Sequence, residues 1–235
     1  MFQVRILATG DVHSPRYLHG FVESLKDKQR PDLFLLAGDM ISRGRTEEYV
    51  RVLDAIDNAF GEDLPVVACF GNEEYNEVRK ELVSRLKGRM TFLDERSMTM
   101  DFDGMSVGIV GTQGSLDKAT RWQRRNIPSW RGVFKRRAKR AASLLKKLNG
   151  HVDRTILLMH YSPCIETCEG EDERAFSWMG SRKFYRVVLE QQPDLVVHGH
   201  VHNSILHEAQ LGAALVKNVA FPAVQTVTEI DLPKV

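Results

Sequence analysis

The chain has 235 residues, 43% hydrophobic and 27% charged, with a formal net charge of +2. These are values of a globular domain with a substantial core, and they exclude a disordered or low-complexity chain. No apolar run is long enough to span a bilayer, so no membrane association is expected.

Strands and helices alternate from the start. The segment FQVRILATG (2–10) reads as a strand and is followed by a helix from about residue 15 to 29. DLFLLAG (32–38) is a buried strand, residues 45–60 an amphipathic helix, PVVACF (65–70) the next strand, and residues 73–87 a further helix. Two short strands, SMTMDF and MSVGIVG, then flank an Asp103-Gly104 turn. A helix over about 133–148 ends at Gly150; RTILLMH is a strand, 181–192 a helix and DLVVHGH a strand. The last third reads as β again (SILHEA, GAALVKNVA, AVQTVTEIDL). No linker divides the chain, which predicts one domain over 1–235 with a basic insertion at 118–150. The opening stretch lacks the basic and apolar regions of a secretory leader, and three cysteines (Cys69, Cys164, Cys168) have no paired spacing. Together these predict a reduced, cytoplasmic protein.

Charge is unevenly placed. Segment 118–147 holds twelve of the 33 Lys and Arg and none of the 31 acidic residues, so a basic stretch sits on an acidic body. Trp122 and Trp130 lie among Arg121, Arg124, Arg125 and Arg131. Aromatics among arginines suit phosphate or base contacts, while a solvated amphipathic helix explains the same charges without a ligand. Both readings stay open, and the acidic run EGEDER (169–174) offers the segment a partner either within the fold or across a homodimer.

The chemistry gathers at strand ends. Asp11 and His13 follow the first strand, Asp39 the second, Asn72 the third, His160 the strand RTILLM, and His200 and His202 the strand DLVVH. Burying that many polar groups is costly unless something pairs with them, and a dication is the economical partner. Imidazole nitrogen mixed with carboxylate and amide oxygen, without thiolate, favours Mn²⁺, Fe, Zn²⁺ or Ni²⁺ over Ca²⁺. Seven such groups exceed the needs of one ion and suit two sharing a carboxylate.

In order, the motifs GDVH, AGD, GNEE, MHYSP and GHVH run from residue 10 to residue 202. This series resembles the calcineurin-like metallophosphoesterases. The resemblance implies an α/β fold, a four-layer αββα sandwich of two mixed β-sheets flanked by helices, with the site at the top of the sheets. It implies one metal on Asp11, His13 and His202, a second on Asn72, His160 and His200, and Asp39 between them, with Mn²⁺ the first choice of ion. Carried over in the same way, the catalytic positions are Asn72, Glu73 and His160. The implied reaction is hydrolysis of a phosphodiester or phosphomonoester by a hydroxide on the metals. Glu73 departs from the family, which usually has His there to meet the phosphate or protonate the leaving group. An ionised carboxylate would instead repel a phosphate. Two rivals to this expected phosphoesterase are a nuclease tracking a nucleic-acid backbone with segment 118–147, and a metal-binding scaffold without turnover. His198 and Tyr161, next to these motifs, are expected as flanking rather than ligating groups.

Overall fold

The structure, a computed structural model, describes residues 3–127 and 129–234. Phe2, at the head of the first expected strand, lies outside them. Eleven strands are formed among the described residues: β1 (Gln3–Thr9), β2 (Leu33–Leu36), β3 (Val66–Ala68), β4 (Thr91–Phe92), β5 (Arg96–Phe102), β6 (Met105–Thr112), β7 (Arg154–Met159), β8 (Leu195–His198), β9 (Glu208–Leu211), β10 (Ala214–Asn218) and β11 (Thr228–Pro233). The helices are α1 (Leu18–Leu25), α2 (Thr46–Phe60), α3 (Arg79–Arg85), α4 (Arg121–Asn126), α5 (Trp130–Leu148), α6 (Arg182–Gln191) and α7 (Phe221–Val224).

One sheet runs β11-β1-β2-β3-β4 and the other β5-β6-β7-β8-β10-β9. Both are mixed: β1 to β4 are parallel with β11 antiparallel at the edge, and β6, β7, β8 and β10 are parallel with antiparallel β5 and β9 outside them.

Side-chain alternation along each strand explains the layers. Val4, Ile6 and Ala8 of β1 point between the sheets, with Leu33 and Leu35 of β2, and meet Val107, Ile109, Ile156, Leu158, Leu195 and Val197 of the second sheet. Leu7, Phe34, Leu36 and Ala68 point the other way, onto Phe21 of α1 and Tyr49, Val52, Leu53 and Ile56 of α2. On the opposite outer face Val110, Leu157 and Val196 receive Ala141, Leu144 and Leu145 of α5 and Phe184 and Val188 of α6. Strands buried on both faces must be apolar at nearly every position, which is why they read as continuous runs. Each Val, Leu, Ile or Phe among them contributes about 1.5–3 kcal/mol on burial. The result is helices, sheet, sheet, helices: the four-layer αββα sandwich.

Three expected helices take a different form. The first spans only Leu18–Leu25, after a turn in which Arg16 N–H bonds His13 O and Tyr17 N–H bonds Val12 O. The third starts at Arg79 rather than 73, because Glu74 folds back onto backbone amides of the preceding loops. In the basic segment a separate helix, α4, precedes α5; Thr120 and Gln123 form a reciprocal capping box that starts it. The stretch AVQTV is not strand throughout: α7, with Pro222 in its first turn, comes before β11. The Asp103-Gly104 turn has both residues at positive φ (48° and 75°), the geometry that joins a two-residue hairpin. Among the described residues no helix is long and apolar enough to cross a membrane.

Candidate metal centre

The parallel strands of both sheets deliver their carboxyl ends to one edge, and the seven polar residues converge there. Asp11 and His13 leave β1, Asp39 leaves β2, Asn72 leaves β3, His160 leaves β7, and His200 and His202 leave β8. Two groups result: Asp11, His13 and His202 have ligand-competent atoms within 4.8 Å of one another, and so do Asp39, His160 and His200. His13 Nε2 lies 3.7 Å from Asp11 Oδ1 and 4.0 Å from Asp39 Oδ2, so the groups adjoin. His160 Nε2 lies 3.5 Å from Asp39 Oδ2 and 3.2 Å from Asn72 Oδ1, while Asn72 Nδ2 donates to Asp39 Oδ2 at 2.9 Å.

The backbone is bent to achieve this. Asp11, His13, Asp39 and His200 all have left-handed φ (58°, 45°, 52° and 71°), uncommon for residues with a Cβ and concentrated here at a cluster of buried polar groups. Gly71 and Gly199 are required for a different reason: a Cβ on Gly71 would strike the Asp39 carboxylate, and one on Gly199 would strike that of Asp11.

Hydrogen bonds orient the rings. His160 Nδ1 faces Ala37 O at 3.0 Å and must donate, which leaves the Nε2 lone pair for the site. His200 Nε2 faces Trp178 O at 3.0 Å, which leaves Nδ1. Trp178 closes a 3₁₀ turn over Glu173–Trp178, a contact that no local sequence signal announces. Glu74, fully buried, accepts from the amides of Asp39 (2.8 Å), Met40 (2.8 Å), Ile41 (3.4 Å) and Gly71 (2.7 Å), joining the loops after β2 and β3.

Electrostatics test whether cations fit. Burial pushes the imidazoles of His160 and His200 down to about 4 and about 3, and lowers that of His13, so these rings are neutral near pH 7. Neutral imidazole is the form that ligates. Burial opposes ionisation of Asp11 as well, but the hydrogen bond with His202, and the neighbouring imidazoles once acid protonates them, outweigh it and hold this carboxyl low. Asp39 goes the other way: burial, then the carboxylates of Glu74 and Asp11, push it well above the usual range. His13 Nε2 is buried without a hydrogen-bond partner among the described residues. A crowded carboxylate beside an orphaned imidazole nitrogen is what a divalent cation would relieve, and the donor set fits one.

The remaining singled-out residues fall around this centre. Glu73 lies beside it with its backbone N–H on Asp39 Oδ1 (2.6 Å), and its carboxylate accepts from the Arg43 amide (2.6 Å). His198 ends β8 facing away, with Nε2 2.8 Å from Thr167 Oγ1. Tyr161 is buried edge-on to His200, ring centroids 4.7 Å apart. Cys69, Cys164 and Cys168 are free and buried, and none joins either group. Arg121, Arg124 and Arg125 are exposed on α4 and belong to neither group of candidate ligands.

No curated protein matches this chain in sequence. Among solved structures it is similar to the phosphopantetheinyl hydrolase of Mycobacterium tuberculosis, at 17% identity over 94% of this chain and 90% of that one, with a TM-score of 0.69. TT1561 of Thermus thermophilus is similar at 18% identity over 99% and 100% of the two chains, TM-score 0.61. The purple acid phosphatase PPD1 of yellow lupin seeds is similar at 13% identity over 100% of this chain and 48% of that one, TM-score 0.52. At such identities these likenesses speak to the fold. The family model described as calcineurin-like phosphoesterase matches residues 4–204, the span that contains every group of the centre. The chain belongs to the calcineurin-like phosphoesterase family and is a phosphoric-ester hydrolase.

Proposed function

We propose that this chain hydrolyses a phosphate ester with two divalent ions, Mn²⁺ foremost, held by Asp11, His13 and His202 on one side and Asn72, His160 and His200 on the other, with Asp39 shared. The observation that carries this is the adjacency of the two groups: His13 Nε2 lies within 4.0 Å of both Asp11 and Asp39. Bound divalent ions supply Lewis acidity toward phosphoryl oxygen and lower the pKa of water.

The chain's own residues do the rest. Ala37 O and Trp178 O fix the rings of His160 and His200, so no reorientation is required when ligands bind. Asn72 is held by Asp39, which aims its carbonyl oxygen at the His160 side. Glu73 is fixed by the Arg43 amide and sets negative charge beside the centre. That charge opposes a doubly negative monoester more than a singly negative diester, which supports a diester preference.

Metal-stripped protein reloaded with Mn²⁺, Fe²⁺, Zn²⁺ or Ni²⁺ tests the proposal, with bound metal counted by mass spectrometry and model diesters and monoesters assayed in parallel. Two ions per chain at saturation, loss of both in Asp39→Ala, and metal-dependent turnover are expected. One ion per chain, or full activity in Asp39→Ala, overturns the dinuclear reading.

A further inference from the structure

A cavity of about 420 Å³ opens from the metal centre, with Asn72, Glu73 and His200 at its inner end. Its far wall comes from Trp122, Ile127 and Phe134 of the basic segment and from Leu116 beneath it, with Tyr161 running between this wall and His200. Leu116, Phe134 and Tyr161 form their own small core with Ala119 and with Trp130 and Val133, so this wall is packed and fixed.

Of the polar side chains that line the cavity, Gln113, Gln123, Arg79 and Arg137 are already occupied, while Tyr75 and Asn76 make no side-chain hydrogen bond among the described residues. Gln113 Oε1 accepts from Arg79 (3.0 Å) and Arg137 (2.7 Å), and its Nε2 donates to Gly71 O at 2.9 Å. Gln123 Oε1 accepts from Thr120 N–H at 3.0 Å, and its Nε2 donates to Tyr161 Oη at 3.1 Å. Arg137 spends its other terminal nitrogen on Gly114 O at 3.2 Å. What the wall offers a guest is therefore mainly hydrocarbon and ring faces. Trp122, 57% exposed, leaves a large apolar surface uncovered beside it.

Resting on the phosphoesterase reading, we infer that this cavity receives the alcohol part of a small phosphate ester with an apolar alkyl or aryl body, chosen by shape and apolar burial, with Trp122 covering its outer end. The volume lies in the range that encloses one small organic group. A nucleobase set against Gln113, Gln123, Arg79 and Arg137 would leave its hydrogen-bonding edge facing groups already paired, at the cost of unmade bonds. Arg79 and Arg137 line the cavity as well, each beside a carboxylate (Asp94 at 3.4 Å, Glu95 at 3.8 Å), and their side chains stay paired with Gln113 when a guest's body enters.

The test is calorimetric binding of propyl-, pentyl- and heptylphosphonate to the full chain, with and without Mn²⁺, beside AMP and a serine phosphopeptide. Affinity should rise about fourfold per added methylene until the cavity is full. In Trp122→Ala the loss of affinity should grow with chain length, and since the side chain is exposed this variant keeps its fold. Affinity independent of chain length, or tighter binding of AMP or of the phosphopeptide than of heptylphosphonate, overturns the inference. Hydrolysis of the matching alkyl phosphates separates the two readings. Length-dependent binding with no metal-dependent turnover on any ester sinks the phosphoesterase reading and leaves the pocket assignment standing. Turnover with length-independent binding does the reverse.

Discussion

Removing the Glu74 carboxylate should damage the centre without touching any candidate ligand. Its two oxygens accept four backbone N–H groups, three of them at 2.7–2.8 Å, from the loops that carry Asp39 and Asn72. Burial pushes this carboxyl up, and those four amides pull it back toward ionisation. Each hydrogen bond to a charged acceptor contributes about 1.5–3 kcal/mol, partly offset by the cost of burying the charge. For Glu74→Ala, which leaves the amides without an acceptor, the expected loss is about 3–5 kcal/mol. At ~2–4 °C per kcal/mol for a chain of this size, Tm should fall by about 10 °C. Scanning calorimetry of metal-free protein reads this directly, and metal titration should show weakened binding because both loops lose their tie. Glu74→Gln keeps one acceptor oxygen but turns an amide NH₂ toward two donors, so it should recover only part of the loss. Glu77→Ala, an exposed neighbour on the same loop, is the control. A Glu74→Ala protein that melts within about 2 °C of wild type and binds metal as tightly would refute the reasoning.

Glu73→Gln keeps an acceptor for the Arg43 amide and removes the charge, so kcat/KM on monoesters should rise severalfold relative to diesters; an unchanged ratio would show that this charge does not face the substrate. Replacing Arg121, Arg124 and Arg125 together by Ala should raise KM with kcat nearly constant, the pattern of lost uniform binding, and a steep salt dependence seen only with polynucleotides would favour the nucleic-acid use of the segment. Burial pushes the Glu95 carboxyl up to about 7, against the pull of Thr112 and Arg137. The folded chain therefore keeps a proton that the unfolded chain releases, and stability should fall as pH rises from about 4.5 to about 7 and level off above. Glu95→Gln lacks this fall, so its stability relative to wild type should improve by at most about 3 kcal/mol across that window in denaturant titrations; a difference that does not vary with pH would remove Glu95 as the cause.

The strand ends of the centre were legible because two constraints act on the same residues. A strand buried on both faces leaves no polar position until it ends, so Asp39 after LFLLAG or His160 after RTILLM stands out against an apolar run. The Asp103-Gly104 hairpin was legible for a local reason, since only residues tolerant of positive φ make that turn. The start of α3 was not, because helix propensity over 73–78 loses to partners of Glu74 that lie 33 to 35 positions away. The second anchor of His200, Trp178 O, is likewise a tertiary contact. In the basic segment, composition showed charge, whereas the structure shows an inner face of Gln123 and Phe134 against Tyr161 and an outer face of arginines. Period alone assigns neither face to a cavity.

The left-handed turns at Asp11, His13, Asp39 and His200 connect these observations. A strand continuing straight would carry its next side chain out of the sheet edge, away from neighbouring strands. Reversing φ just after β1, β2 and β8 turns those side chains inward, where they meet Asn72 after β3 and His160 after β7, so five strands from two sheets supply donors to one small volume. The cost is backbone strain, and fixed groups hold the bent backbone: Glu74 on the amides of Asp39 and its neighbours, the His200 amide on Asp11 Oδ2 at 2.8 Å, and glycines where any Cβ would collide. These supports hold the ligand geometry from the protein side, so cation binding has little rearrangement to drive. Substrate choice falls instead to the residues that stand outside this frame, Glu73 at one end of the cavity and Trp122 at the other.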